Sequence, residues 1–533
     1  MRVRFLGYGS LVGLLLTGNV AIADEGFVEF GNAAREESPH AAPLAPRRAI
    51  KGKGKAAKLE KAAPPPVDPW GPVAVDKVSL VNAAPGLLAF FNNAPVFGLP
   101  GTVTGDILHR TQLLGDWGGT RTELARKGFF FDLYTTSYYQ DVTSGGLKTG
   151  SAFVQNTQLS INVDTGRAGW WSGGLIHFTA QSRYGDNPPN TFTVGSVVPQ
   201  YTGLVLPDPL QPNNFLPSEY FLVQALSKQA SVVIGKISDV FIPDQTEFGN
   251  SFKYYFANFN LNKNPMTTNF YNPTALAALG VWAFSPKFVV AGGVLDPNSK
   301  SDNLAVNAFD RVNLYLTSIA SYDIAGLPGQ FSPAYNWTNK PKIDLGAPFG
   351  PLTSVAAVTQ AVGGLLGANS TNGLPANFKN ESWFAIANVS QYLFVADDPA
   401  AVAQKLKSGE PLRGIGVFGR VGYAPEDTNT ITRDASIGLF ARGLLDRREN
   451  DSFGIGYYYN QISSKFKTDV SLLTRGAASA HDESGLEVFY DVAITPAVRL
   501  IPSYQHIWHP LSAEVATGHQ SADVFQARLT MAW

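Results

Sequence analysis

The chain has 533 residues, too many for one ordinary soluble domain, with 41 basic against 42 acidic side chains and no cysteine. The even charge gives no pointer to nucleic acid or a strongly acidic substrate, and the missing cysteine excludes disulfides, thiol catalysis and Cys-ligated zinc. Charged residues make up only 16%, against about 25% in soluble domains, and with plentiful Gly, Phe and Tyr this fits alternating apolar and polar strands.

The amino end reads as an export signal over residues 1–23. Arg2 and Arg4 precede the apolar Phe5–Val20, and Ala21-Ile22-Ala23 forms a small-residue cleavage pattern. A membrane anchor is the alternative, and the short apolar region ending in small residues speaks against it. No later run reaches the ~18 apolar residues of a spanning helix. Residues 24–106 are rich in Ala, Pro and Lys, with a basic run from Arg47 to Lys61 and then Pro64-Pro65-Pro66. Such a composition predicts a mostly disordered periplasmic extension. The KGKGK within it lacks the strand, spacing and Ser/Thr of a phosphate loop. It reads as a solvated basic tail, with peptidoglycan or anionic lipid as a partner to test.

From residue 107 the pattern changes to strands. Runs of about ten alternating or apolar-aromatic residues fall at Phe129–Gln140, Phe153–Asp164, Gly174–Tyr184, Glu219–Ser227 and Ala230–Ser238. They continue at Ala275–Ser285, Lys287–Asp296, Arg311–Tyr322, Gln330–Lys340, Glu381–Phe394 and Arg413–Tyr423. Asp434–Arg442, Ser452–Ser463, Gly485–Thr495, Ala497–His509 and Ala522–Trp533 complete the set. Sixteen is an even number, as a single-chain bacterial barrel requires. Short links such as Pro286 and Pro496 alternate with long ones such as Gly185–Ser218 and Asp239–Thr274. The fold expected is therefore all-β: a transmembrane antiparallel β-barrel of about sixteen strands over residues 107–533. Short periplasmic turns and long extracellular loops would place it in the outer membrane of a diderm bacterium.

Parity assigns the faces. In the last strand Phe525, Ala527, Leu529, Met531 and Trp533 share one side, leaving Gln526 and Arg528 inward. A charge on the lipid face near the midplane costs ~2–4 kcal/mol. Arg183, Arg420, Glu487, Arg499 and Gln505 turn inward by the same argument. Trp170-Trp171, Trp508 and Trp533 fall at strand ends, where an interfacial girdle needs them.

Leu113–Gly128, LLGDWGGTRTELARKG, resembles the opening of the carbohydrate-selective porins of the OprB type. Their G-D-W-G-G-x-R-x-x-L-x-x-x-G signature is matched by Gly115-Asp116-Trp117-Gly118-Gly119, Arg121, Leu124 and Gly128. Gly414–Asp427, Asp451–Asn460 and Glu487–Pro510 match further along, in the family's order. The chain departs in its long extension and in an enlarged loop over Lys340–Lys379. The resemblance implies passive diffusion of mono- or short oligosaccharides through a constricted, water-filled barrel. A general or ion-selective porin of the same fold is the alternative. It also implies that the third long loop, Asp239–Asn264, folds into the pore, as in general porins. That loop carries Asp239, Asp244, Glu247, Lys253 and Tyr254; with Lys236 and the inward residues Arg183, Arg420, Glu487, Arg499, Gln505 and Arg528 it supplies the candidate sugar contacts. Aromatic faces stack on sugar C–H groups, while charged groups bond the hydroxyls, Arg through a planar fork. Expected partners are outer-membrane lipid and lipopolysaccharide and the permeating sugars, with no cofactor or metal and no nucleic acid; no motif decides between a monomer and a homotrimer. An enzyme would need a nucleophile with a positioned base, and the seven scattered histidines offer none. His506 lies on the lipid-facing parity with Tyr504 and Trp508.

Overall fold

The computed structural model describes residues 77, 80–83, 103–186, 194–198, 215–238, 248, 253–270, 274–299, 308–346, 377–408, 411–474 and 476–533. The expected signal peptide and basic run lie outside these residues. Antiparallel strands lead the chain out and back: β1 Phe129–Gly145, β2 Gly150–Asp164, β3 Gly174–Gly185, β4 Phe215–Ala225, β5 Ala230–Ser238 and β6 Thr274–Ser285. β7 Phe288–Leu295, β8 Asn313–Ile324 and β9 Leu327–Thr338 follow, then a small hairpin of β10 Lys342–Ile343 and β11 Phe378–Lys379. The wall resumes with β12 Ser382–Val395, β13 Gly414–Tyr423, β14 Ile431–Arg442 and β15 Ser452–Ile462. β16 Glu483–Thr495, β17 Val498–Trp508 and β18 Ser521–Ala532 end it. Sixteen of these form one closed barrel in which β18 pairs with β1 and β12 with β9. Every expected span coincides with one of the sixteen.

Closure removes the unpaired edge that an open sheet would present. Two of the prolines within the strands, Pro333 and Pro502, sit well inside the wall without breaking it. At Pro333 the β8–β9 pairing passes from Thr317–Ala334 directly to Ala320–Phe331. At Pro502 the β16–β17 pairing passes from Phe489–Ser503 to Val492–Leu500. Each proline lacks a donor, and the ladder is interrupted on one side while the other side continues, through Ala387–Pro333 and Pro502–Ala527.

The two faces separate as the alternation requires. On β3, Leu175, His177, Thr179, Gln181 and Arg183 are buried, while Tyr184 stands exposed. On β18, Gln526, Arg528 and Thr530 are buried and Phe525 is exposed. Ile437, Leu439, Tyr457 and Trp508 continue the exposed apolar face around the wall, an apolar band flanked by aromatics. One end of the barrel carries short turns, Pro286-Lys287 and Ala325-Gly326 among them, apart from the helix-bearing β12–β13 connection, and the other end carries the remaining long connections.

The Gly-Asp-Trp-Gly-Gly segment closes the barrel. Asp116 accepts from the Thr122 backbone N–H at 2.7 Å, starting the helix Thr120–Arg126. Gly118 and Gly119 have φ of 69° and 99°, a left-handed path that suits glycine. The turn aims Arg121 at both ends of the sheet: it donates to the carbonyls of Trp533 at 3.1 Å and Phe131 at 2.6 Å. Its guanidinium also lies 5.3 Å from the Trp117 ring centre. Within the expected extension, Leu80–Ala83 forms one helical turn at the short-turn end of the barrel. Leu80 is buried and its N–H donates to Asp164 at 3.3 Å.

Candidate functional site: the lumen and its inserted loop

The third connection at the end opposite the short turns, between β5 and β6, folds into the barrel over residues 253–270. Its backbone is held by the wall. Glu487 on β16 accepts from the N–H groups of Ala257 at 2.9 Å and Asn258 at 2.8 Å. Arg420 on β13 donates to the carbonyls of Leu261 at 2.8 Å and Asn262 at 3.0 Å. Arg528 on β18 donates to the Tyr255 carbonyl, and Thr530 to that of Lys253 at 2.9 Å.

The run Asn258-Phe259-Asn260-Leu261-Asn262-Lys263-Asn264 explains how a loop can be buried. Each of its four asparagines is at most 1% exposed and bonded: Asn258 donates to Gln505 at 3.0 Å and Asn264 to Asp434 at 2.9 Å. Asn260 accepts from Asn460 at 2.8 Å, and Asn262 donates to the Phe256 carbonyl at 3.0 Å. Amide side chains thus satisfy polar groups that burial would otherwise leave unpaired. Apolar packing completes the seal. Phe248, Phe256 and Leu261 pack with the inward Phe418, Phe440, Tyr458 and Phe489. Inward glycines leave the room: a Cβ on Gly416 would lie 2.2 Å from the Phe248 ring, and one on Gly456 2.9 Å from Leu261.

The expected site residues therefore divide. Arg420, Glu487, Gln505 and Arg528 turn inward, but each is 0–1% exposed beneath the inserted loop and grips that loop. Arg499 pairs with Asp491, Nη2 to carboxylate at 2.7 Å, and its guanidinium lies 5.5 Å from the Tyr254 ring. Arg183 is buried on β3, across from Asn156. Lys236 is buried on β5 together with its neighbour Ile237, so the two-residue alternation fails there, next to Gly235 with its φ of 139°. Asp239, Asp244 and Glu247 lie outside the described residues. Tyr254 is half-buried on the inserted loop.

A different inward set keeps partial access. Asp132 and Tyr134 on β1, and Asn156 and Gln158 on β2, are half-buried, and Tyr134 pairs directly across from Gln158. The Lys253 ammonium lies 3.6 Å from the centre of the Tyr134 ring. Burial pushes Lys253 down to about 8, while the Asp132 and Glu219 carboxylates pull it back up. The parity that placed Arg528 inward applies equally to Asp132 and Tyr134, so their signal was present in the strand.

Sixteen antiparallel strands closed on themselves, an apolar exterior and a lumen narrowed by the β5–β6 loop are the frame for the sequence match. The profile of the carbohydrate-selective porin, OprB family, matches residues 148–521. The chain belongs to that family. It is 25% identical over 465 residues to the putative porin QuiX of Acinetobacter baylyi, spanning 78% of this chain and 93% of that one. It is 22% identical over 431 residues to Porin B of Pseudomonas aeruginosa, spanning 75% and 87%. The Pseudomonas putida OprB structure at high pH shares the fold with a TM-score of 0.62 at 18% identity, covering 79% of this chain and 98% of that one. The chain is thus a porin of the bacterial outer membrane, a channel and not an enzyme. In the porin the short turns face the periplasm and the long loops face outward.

Proposed function

We propose that this porin passes mono- or short oligosaccharides by passive diffusion along the inner face of β1 and β2. The observation that carries the reading is the polar, part-accessible strip between that wall and the inserted loop: Asp132, Tyr134, Asn156 and Gln158 facing Lys253 and Tyr254. Two phenol rings offer stacking surfaces, two amides offer a donor and an acceptor each, and the charges oppose one another in sign. That mixture suits neutral hydroxylated solutes, with binding weak enough for exit. Arg420, Glu487, Gln505 and Arg528 then act by fixing the loop rather than by touching sugar. Arg183 remains a candidate contact only if the permeant displaces its neighbours.

Single-channel current in a planar bilayer tests this, with glucose and longer glucans titrated in. Stepwise conductance that falls saturably with sugar is expected. Tyr134→Ala should weaken the block about tenfold, the loss of roughly 1.4 kcal/mol of stacking. Conductance unaffected by any sugar would assign general diffusion instead.

A further inference from the structure

At the outer mouth, away from the lumen strip, two histidines converge on one buried carboxylate. His481 precedes β16, His509 follows β17, and Glu514 belongs to the helix Leu511–Thr517 between β17 and β18. Glu514 Oε1 lies 2.6 Å from His481 Nδ1 and 2.9 Å from His509 Nδ1. Its Oε2 accepts the His481 backbone N–H at 3.1 Å. One ring nitrogen from each histidine and the carboxylate oxygen all lie within 4.8 Å of one another.

We propose that His481, His509 and Glu514 form a site for a divalent transition-metal ion such as Zn²⁺. Two imidazoles and a carboxylate make a three-ligand set that leaves one position to solvent. Nitrogen donors select zinc, copper or nickel over magnesium and calcium, which favour all-oxygen sites. Metal–ligand bonds of about 2.0–2.2 Å at tetrahedral angles separate donor atoms by about 3.4 Å, so the ion needs an opening of under 1 Å from the present nitrogen–oxygen distances.

The frame for such a site is already rigid on one side. Glu514 is 5% exposed, and its helix is tied down where Ser512 and Ala513 donate to the Gly195 carbonyl at 2.7 and 3.1 Å. Leu511 donates to Glu483 at 3.0 Å, and Glu483 also accepts from Val197 at 2.8 Å. On the other side His481 is exposed, so an ion enters without passing through the barrel. The hydrogen bond from the His481 backbone to the second carboxylate oxygen orients the ligand, as outer partners do in metal sites. A bound ion would tie the β15–β16 loop to the β17–β18 loop, the two connections that meet segment 194–198 at the mouth.

The test uses full-length protein without a histidine tag, in detergent micelles, titrated with Zn²⁺ by calorimetry and with Co²⁺ by visible absorption. One equivalent of Zn²⁺ and the d–d bands of a low-coordinate Co²⁺ ion are expected. His481→Ala, a surface change that leaves the barrel intact, should weaken binding at least tenfold, and Glu514→Gln likewise. His109→Ala, at the opposite end of the chain's fold, should leave binding unchanged. No saturable binding, or binding that survives in the His481→Ala/His509→Ala double variant, would overturn the proposal.

Discussion

Lys253 shows how one side chain can set the charge of the passage. It sits over Tyr134 with its affinity for protons depressed by burial to about 8. The group is therefore charged at neutral pH and loses its charge as pH rises through 8. Between pH 7 and 9 the strip beside Asp132 should lose one positive charge, and ionic selectivity should move toward cations. Reversal potentials measured under a salt gradient will show that shift, and Lys253→Met should abolish it by fixing the neutral state throughout. The anchoring asparagines are a second lesson at this scale. Aromatic and charged residues draw the eye in Asp239–Asn264, yet Asn258, Asn260, Asn262 and Asn264 make the buried hydrogen bonds. Their alternation with Phe259, Leu261 and Lys263 was visible, but amide residues at that spacing equally describe an exposed turn.

At the scale of one element, the proposed selectivity rests on the inserted loop. Arg420 contributes two charge-assisted hydrogen bonds to loop carbonyls, each worth about 1.5–3 kcal/mol. Arg420→Ala should release the loop from β13 while leaving the ladder of the wall unchanged. The expected result is a larger conductance step with weaker sugar block and undiminished heat resistance of the barrel. Gly416→Val should act by a different route, since its side chain would enter the space of the Phe248 ring. If both variants keep the parent's conductance, the loop does not define the narrowest point.

For the whole molecule, the decisive event is joining the first strand to the last. Arg121 holds the Trp533 carbonyl and the Phe131 carbonyl at once, while Leu113 donates to Ala532 at 2.8 Å. Arg121→Ala should cost about 3 kcal/mol from the lost charged hydrogen bonds, read as a lower melting temperature by circular dichroism and as loss of the compact band in unheated electrophoresis. The resemblance in Leu113–Gly128 thus has a mechanical content: the motif is a latch. Its sequence pointed to a family, and its physical role depends on a residue 412 positions away.

The sequence by itself determined the strands, their number, the face most side chains take and the membrane that the outer face requires. These are local properties, because a two-residue period reads out over ten residues and a charge turned to lipid is penalised wherever it stands. Only the tertiary structure decided which inward groups keep access to the passage and which are sealed. Arg420 and Asp132 both turn inward and both are charged, but the loop carbonyls that occupy Arg420 come from Leu261 and Asn262, some 159 residues distant. The convergence of His481 and His509 on Glu514 is of the same kind. Such contacts arise from closure of the barrel and the path of its loops, and no local period encodes them.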